Sequence, residues 1–222
     1  MSIRIEMKNF CHLIWDWNGT LLDDLAASLN AINRLLADHN LPSTTREDYL
    51  AHFGFPVRDY YTHLGFPQQL APDEWQRVAQ TYHDYFNADP SQKLFPDARE
   101  SLQRCADKNF PQSILSALHQ PLLTAALREH NLAQFFKHAR GVGDLHGSSK
   151  LLQGRALLSD LALPPEKILL IGDTLHDAHV ARELNTRCIL TTRGHQSPSR
   201  LATANVPVFA TLADAVDWIF SQ

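Results

Sequence analysis

Three aspartates of this chain follow apolar runs of the sequence. Asp16 comes directly after the run 13–15, and Asp173 and Asp177 follow the run 168–171. A carboxylate is costly to bury unless it binds a metal ion or hydrogen-bonding groups, so carboxylates at the ends of two buried strands indicate a functional site. Mg²⁺ in proteins prefers a few carboxylates together with water and phosphate oxygens. The three aspartates therefore predict a magnesium site that handles a phosphate group.

Two further polar residues stand at comparable points of the sequence. Ser116 follows the apolar run 112–115 and would add a hydroxyl donor at the same edge. Lys150 opens a predicted helix after the loop 141–149 and would add a positive charge that neutralises phosphate. A helix N-cap for Ser116 and a solvated helix position for Lys150 are the ordinary alternatives.

Alternating strands and helices must position these residues. The sequence predicts buried strands over 11–15, 112–115, 168–171 and 188–191, and a last strand over 206–210. Helical patterns cover 98–106, 122–129, 151–161, 178–184 and 212–220. Such alternation favours a mostly parallel sheet covered by helices on both faces. In folds of this α/β class, ligands bind at the carboxyl ends of the strands.

The stretch from about residue 24 to residue 94 is the exception. It carries helical patterns and many aromatic residues but no convincing buried strand, and Asp23 or Asp24 is a candidate N-cap of its first helix. We interpret residues 23–94 as a helical domain inserted into a core formed by residues 1–22 and 95–222. The alternative is that this stretch is simply more of the same domain.

Composition and charge exclude several classes of function. The 222 residues carry 20 Lys and Arg against 24 Asp and Glu, a net charge of −4, with no dense basic run that would bind nucleic acid. The three cysteines are far apart, which argues against a disulfide framework. No targeting segment or membrane span is recognisable. We expect a cytoplasmic protein without nucleic-acid or membrane partners, and the oligomeric state is left open.

The motifs, taken in order, resemble those of the haloacid dehalogenase superfamily, and most of all its phosphoglycolate phosphatase-like hydrolases. The family's first motif, DxDGT, corresponds to Asp16-Trp17-Asn18-Gly19-Thr20, and its fourth, GDxxxD, is matched by Gly172, Asp173 and Asp177. Ser116 and Lys150 match the second and third motifs, without the proline that often follows the lysine. The resemblance implies a Rossmann-like α/β core with an inserted α-helical cap domain.

The resemblance also implies a role for each motif residue. Asp16 would attack phosphorus and become an aspartyl phosphate. The Mg²⁺ cofactor would be held by Asp16, the backbone carbonyl of Asn18, and Asp173, with Asp177 as a ligand or holding a bound water. The phosphoryl oxygens would be bound by side chains and backbone amides of the motifs, namely Trp17, Gly19, Thr20, Ser116, Ala117 and Lys150.

Asn18 is the departure from the family pattern. The usual aspartate at this position protonates the leaving oxygen and later activates water, whereas an amide cannot exchange a proton at neutral pH. General acid–base catalysis is worth about 10²–10⁴-fold, so activity need not be lost. Three interpretations follow: a working phosphatase for a small phosphorylated metabolite, a phosphotransferase, or a phosphate-binding module that has lost its chemistry. Asn18→Asp is expected to raise phosphatase turnover.

The segment 52–58 completes the predicted site. A glycine and a proline among aromatic residues suit a shaped loop of the lid, and we expect this loop to face the active site. Arg58 would then pair with an anionic part of the substrate. The alternative is a surface arginine beside the core of the insertion. The sequence does not identify the substrate.

Overall fold

The computed structural model describes residues 10–145 and 150–221 of the chain. In these residues the strands are β1 (His12–Trp15), β2 (Leu22–Asp23), β3 (Lys93–Leu94), β4 (Gln112–His119), β5 (His138–Val142), β6 (Ile168–Gly172), β7 (Arg187–Thr191) and β8 (Val208–Phe209). The helices are α1 (Leu25–Asp38), α2 (Arg46–His52), α3 (Val57–His63), α4 (Pro72–Ala88), α5 (Ala98–Asp107), α6 (Gln120–Glu129), α7 (Leu151–Leu161), α8 (Leu175–Glu183), α9 (Pro198–Leu201) and α10 (Leu212–Phe220). Short 3-10 helices span Ala133–Phe135, Pro165–Lys167 and Ala202–Ala204.

Six of the strands form one parallel sheet in the order β5-β4-β1-β6-β7-β8. β1 lies between β4 and β6, so the carboxyl ends of these three strands are side by side. The strand order departs from β1 in both directions, which opens a crevice at this edge in doubly wound folds. The predicted Rossmann-like α/β sheet is confirmed.

Both faces of the sheet are buried because its central strands are apolar on both sides. Leu13 and Trp15 of β1 pack into a core cluster with residues of α5, α6 and α10. Ile14 points to the other face and packs with residues of α7 and α8. A strand covered on both faces has the continuous apolar sequence seen in β1 and β6.

The structure corrects several predicted boundaries. β4 continues past Leu115 to His119, so Ser116 lies within the strand. α8 begins at Leu175, three residues before the predicted start. β5 was not predicted at all, because its sequence His-Ala-Arg-Gly-Val lacks an apolar run. β5 is the edge strand beside β4 and is only partly buried, so its side chains need not be apolar.

The helical insertion consists of α1 to α4, and β2 and β3 pair antiparallel at its two ends, Leu22 with Leu94 and Asp23 with Lys93. Its helices share a core of their own, which contains Leu35 of α1, Tyr49 of α2, Tyr61 of α3 and Trp75 of α4. The pair β2–β3 therefore stands at the limits that the sequence suggested for the inserted segment. We use the name helical insertion for residues 25–88.

No helix in the described ranges is both long and apolar enough to cross a membrane. Cys11, Cys105 and Cys188 are free thiols.

Candidate active site

Asp16 is held at the edge of the sheet by a tight loop that follows β1. Its backbone N–H donates to the carbonyl of Ile171 in β6 at 2.8 Å. Gly19 has a φ of +70°, which glycine adopts without strain, and its N–H donates to the Leu22 carbonyl at 2.9 Å. The Trp17 side chain is fully buried in the core of the sheet, so only its backbone faces the site.

Lys150 joins two of the motif carboxylates. Its Nζ lies 2.6 Å from Asp16 Oδ1 and 2.5 Å from Asp177 Oδ1, and it donates to the Leu115 carbonyl at 3.2 Å. Burial by itself lowers the pKa of Lys150, but Asp16 and Asp177 outweigh it and raise that pKa above its ordinary value. For Asp16, burial raises the pKa to about 6 against the opposing effect of Lys150. Lys150 thus stays charged and favours the ionised nucleophile.

Asp173 lies in a narrow space between two glycines. A Cβ on Gly19 would come within 2.3 Å of Asp173 Oδ2, and one on Gly194 within 2.0 Å. The same oxygen accepts the His195 backbone N–H at 2.7 Å, and Thr20 Oγ1 donates to Oδ1 at 3.3 Å. Burial raises the pKa of Asp173 well above its ordinary value. Among the described residues, the donors to this carboxylate are the neutral Thr20 hydroxyl and His195 backbone N–H, and Lys150 is not one of them.

Asp177 caps the start of α8. Its Oδ2 accepts hydrogen bonds from the Thr174 N–H at 2.9 Å, from Thr174 Oγ1 at 2.7 Å and from the Asp173 N–H at 3.2 Å. A Cβ on Gly172 would come within 2.2 Å of the Asp177 Cγ, so the glycine of the motif makes this turn possible. Asp177 therefore fixes the loop that presents Asp173 and pairs with Lys150.

Ser116 and Ala117 lie in the extended part of β4, on the side of β1 that faces away from β6. Both line the same cavity as Asp16, and Ser116 Oγ accepts the Leu118 N–H at 3.1 Å. Ser116 is buried and keeps its hydroxyl hydrogen for another acceptor. The structure thus brings Ser116, Asp16 and Lys150 to one place, as the sequence suggested.

Asp24 is a site residue that sequence reasoning missed. It stands at the N-cap of α1, but its side chain makes no capping hydrogen bond. Its Oδ2 instead accepts from Asn18 Nδ2 at 2.7 Å, and its Oδ1 accepts from the Gly19 N–H at 2.8 Å. The Asp24 carboxylate therefore fixes Asn18 and Gly19 of the first motif through two hydrogen bonds. Helix-capping rules do not predict this role.

His195 is the second residue that was missed. It is buried, with Nε2 3.1 Å from Asp24 Oδ1 and Nδ1 3.0 Å from the Tyr49 hydroxyl. Burial alone lowers the pKa of His195, but the carboxylate of Asp24 above all raises it to about 9. His195 follows Thr191, the last residue of β7, and the carboxyl end of a parallel strand is the one sequence signal that could have indicated it.

The residues present fit a divalent cation. Carboxylate oxygens of Asp16, Asp173 and Asp177 lie within 4.8 Å of one another. Together with Asp24, these aspartates give the described part of the site four buried carboxylates. The buried cationic side chains beside them are Lys150 and His195. With all four carboxylates ionised, the site would bury two more negative than positive charges, which is costly unless a cation neutralises them. All three clustered groups offer the hard oxygen donors that Mg²⁺ prefers.

Arg58 does not lie where the sequence suggested. The loop before α3 does face the site, because Phe53, Phe55 and Val57 line the cavity. Arg58 is exposed instead, with its guanidinium 5.0 Å from the centre of the Trp75 ring, and it is absent from the cavity wall. Successive helical residues point about 100° apart, so Val57 can face the cavity while Arg58 faces solvent. The expectation that Arg58 binds substrate is corrected.

The cavity lies between the sheet edge and the helical insertion and has a volume of about 130 Å³. Two residues after β7 hold the insertion against the core. Gln196 Nε2 and Arg200 Nη1 donate to the Phe53 carbonyl at 2.9 and 2.7 Å, and Arg200 Nη1 reaches the Leu50 carbonyl at 3.3 Å. Phe55 stacks on His176, which lies between the two aspartates of the fourth motif, at a centroid distance of 4.4 Å. The insertion is thus closed over the carboxylates.

Comparison with protein families gives a single clear result. The family model described as haloacid dehalogenase-like hydrolase matches residues 13–191, which is most of the chain. The chain belongs to this family. This confirms the resemblance inferred from the motifs, and the protein is a haloacid dehalogenase-like hydrolase.

Known proteins similar to this hydrolase include enzymes named pyrophosphatase and enzymes named phosphoglycolate phosphatase. A pyrophosphatase of Anoxybacillus flavithermus is 24% identical over 182 residues, covering 81% of this chain and 82% of its own. A phosphoglycolate phosphatase of Yersinia pseudotuberculosis is 24% identical over 221 residues, covering 95% and 93%. Among solved structures, a predicted phosphatase from Clostridium acetobutylicum superposes with a TM-score of 0.84 at 19% identity, covering 97% of this chain and all of that one. The structural likeness shows a shared fold.

Proposed function

We propose that this hydrolase removes the phosphoryl group from a small phosphate monoester through an aspartyl phosphate at Asp16. The observation that carries the proposal is the position of Asp16, whose carboxylate contacts Lys150 at the floor of a cavity closed by the helical insertion. The proposal includes residues 23–94 as the cap domain of this site. The names of the similar phosphatases agree with a phosphate ester as substrate.

In the first step, an Asp16 oxygen forms a bond to phosphorus and the bond between phosphorus and the ester oxygen breaks. The leaving oxygen takes up a proton from water, because the Asn18 amide does not transfer one at neutral pH. In the second step, water attacks phosphorus, the bond to Asp16 breaks, and inorganic phosphate and the free carboxylate remain. Dividing one displacement into two makes each easier, and the carboxylate is available because Lys150 keeps a positive charge beside it.

The other motif residues bind and orient the phosphoryl group. Ser116 Oγ can donate to a phosphoryl oxygen, and Lys150 compensates its negative charge. Asp16, Asp173 and the backbone carbonyl of Asn18 would hold Mg²⁺, which when bound supplies positive charge for the phosphoryl oxygens. Asp177 acts on Asp173 and Lys150 through its hydrogen bonds and its ion pair.

A trapping experiment tests the nucleophile. The protein is mixed with p-nitrophenyl phosphate and Mg²⁺, quenched, reduced with borohydride and digested, which converts an aspartyl phosphate at Asp16 into homoserine detectable by peptide mass. We expect the product in the wild type and none in Asp16→Asn. Asp107→Asn, an exposed carboxylate at the end of α5, is the control and should behave as the wild type.

The outcomes separate the possible functions of the site. Phosphate release together with the Asp16 adduct supports the phosphatase. An adduct that transfers its phosphoryl group only to added alcohols would identify a phosphotransferase. Phosphate binding without an adduct or turnover would leave a binding module and contradict the proposal.

A further inference from the structure

The wall that the helical insertion contributes to the cavity is mainly aromatic and aliphatic, although Ser28 of α1 and His83 of α4 also line it. It includes Phe53 and Phe55 before α3, Val57 and Tyr60 in α3, and Trp75 and Phe86 in α4. All six side chains are buried or partly buried, although several belong to the insertion's own core. The part of a substrate that extends away from Asp16 therefore contacts mainly rings and aliphatic groups.

In the described insertion, this wall offers no lysine or arginine for a second anionic group. The histidine that it contributes is His83, whose Nε2 lies 3.1 Å from the Leu145 carbonyl. Among the described residues that line the cavity, Lys150 is the only lysine or arginine, and it already pairs with Asp16 and Asp177. Arg58 lies outside against Trp75, and Arg200 outside on the carbonyls of Leu50 and Phe53.

Anionic and apolar leaving groups therefore differ in their free energy of binding against this wall. Both cations of the described cavity are already paired, Lys150 with Asp16 and Asp177, and His195 with Asp24. A carboxylate or second phosphate placed against these rings would therefore lose its hydration without gaining an unpaired cation, which costs several kcal/mol in buried sites. An aromatic or branched aliphatic group loses only apolar contact with water and gains about 25 cal/mol for each Å² that it buries. Aromatic walls add ring-to-ring contacts of defined geometry.

We propose that the substrate is a phosphate monoester whose organic part is uncharged and mainly apolar, such as an aromatic or branched aliphatic alcohol. The inference rests on the proposed function for the phosphoryl end and concerns only the leaving group. It separates this protein from the similar enzymes named for phosphoglycolate and pyrophosphate, whose substrates carry a second anionic group.

Two phosphonates that cannot be hydrolysed test the inference by binding alone. Benzylphosphonate and phosphonoacetate share a phosphonate on a CH₂ group and differ in a phenyl ring against a carboxylate. Calorimetry with the wild-type protein and Mg²⁺ should show that benzylphosphonate binds at least about tenfold more tightly, the scale on which an apolar pocket discriminates. Equal affinity, tighter binding of phosphonoacetate, or no binding of either compound would overturn the inference.

A substitution in the wall tests the physical cause. Val57→Lys places an ammonium group on the cavity side of α3, and Val57→Met adds similar length without the charge. The lysine variant should lower the preference for benzylphosphonate at least about tenfold, while the methionine variant should keep it. A preference that both variants retain would show that the missing positive charge does not set the selectivity.

Turnover distinguishes failure of the inference from failure of the proposed function. Benzyl phosphate and phosphoglycolate both release a primary alcohol, so their kcat/KM values compare the organic parts at similar leaving-group chemistry. Faster turnover of benzyl phosphate supports both proposals. Faster turnover of phosphoglycolate overturns the inference and leaves the phosphatase standing. Preferential binding of benzylphosphonate without turnover of either ester supports the inference and contradicts the phosphatase.

Discussion

Asn18 donates its side-chain amide to the Asp24 carboxylate, with Nδ2 2.7 Å from Oδ2. At Asn18 the first motif lacks its usual second carboxylate. The Asp24 carboxylate, at the N-cap of α1, lies directly beside the Asn18 side chain. An aspartate in place of Asn18 would put two carboxylates within hydrogen-bond distance, which forces them to share a proton or move apart. The asparagine and Asp24 form one complementary pair.

This pair changes the expected result of Asn18→Asp. The sequence alone predicted a gain in turnover, but beside the Asp24 carboxyl group we now expect the single variant to gain little or lose activity. The exchange Asn18→Asp with Asp24→Asn restores an amide facing a carboxylate, so turnover of alkyl phosphates should rise by about 10²-fold over the wild type. Steady-state kcat on alkyl and p-nitrophenyl phosphates measures the effect.

Asp24→Asn alone is the control for the exchange, because it sets two amides against each other. The wild type, the two single variants and the double variant form a double-mutant cycle. The double variant should be much more active than the summed effects of the two single substitutions predict. Additive effects of the two substitutions would show that the contact between Asn18 and Asp24 does not shape the site.

Metal affinity should depend on the space around Asp173. Asp173→Ala removes a ligand, and Gly194→Ala places a methyl group 2.0 Å from the present position of Oδ2. Each should weaken Mg²⁺ binding at least about tenfold, the scale seen when the surroundings of a metal ligand are changed. The rise of Tm with added Mg²⁺ measures this without any turnover. Gly143→Ala, with no atom of the described residues within 4 Å of the new methyl group, should leave the response unchanged.

Closure of the helical insertion should depend on Arg200. Arg200→Met keeps the length of the side chain but removes the donors to the Phe53 and Leu50 carbonyls. A hydrogen bond from a charged donor contributes about 1.5–3 kcal/mol, so KM should rise about tenfold or more while kcat changes less. Arg187→Met, at the exposed start of β7, is the matched control. A fall in kcat with unchanged KM would contradict a role in closing the cavity.

Stability should fall in acid partly through His12. Burial above all, and then the electrostatic effect of Lys137 and His138, lowers the pKa of His12 from 6.5 to about 4. His12 therefore binds a proton more readily in the unfolded chain than in the folded protein. The stability that neutral His12 contributes above about pH 6.5 is lost as the pH falls toward about 4. Denaturant unfolding should show a loss of about 3 kcal/mol over this range that is missing in His12→Leu. Equal losses in both proteins would rule out this contribution.

Much of the architecture could be read from local patterns. Apolar runs located β1, β4, β6 and β7, and helical periodicity gave α7 and α10 with the bounds that the structure has. β5 escaped because an edge strand is only partly buried and need not be apolar. Where burial on both faces imposes an apolar run, the sequence carries the signal, and at the edge of the sheet it does not.

By itself, the sequence determined which motif residues stand at strand ends, because the order of strands and polar turns is local information. Only the tertiary structure decided what surrounds them. His195 meets Asp24 across 171 positions of the chain, and the outward direction of Arg58 follows from how α3 packs on α4. Such contacts depend on the packing of whole elements against one another, which sequence spacing does not specify. The contact between Asn18 and Asp24, and the aromatic wall over the site, are evident only from the folded structure.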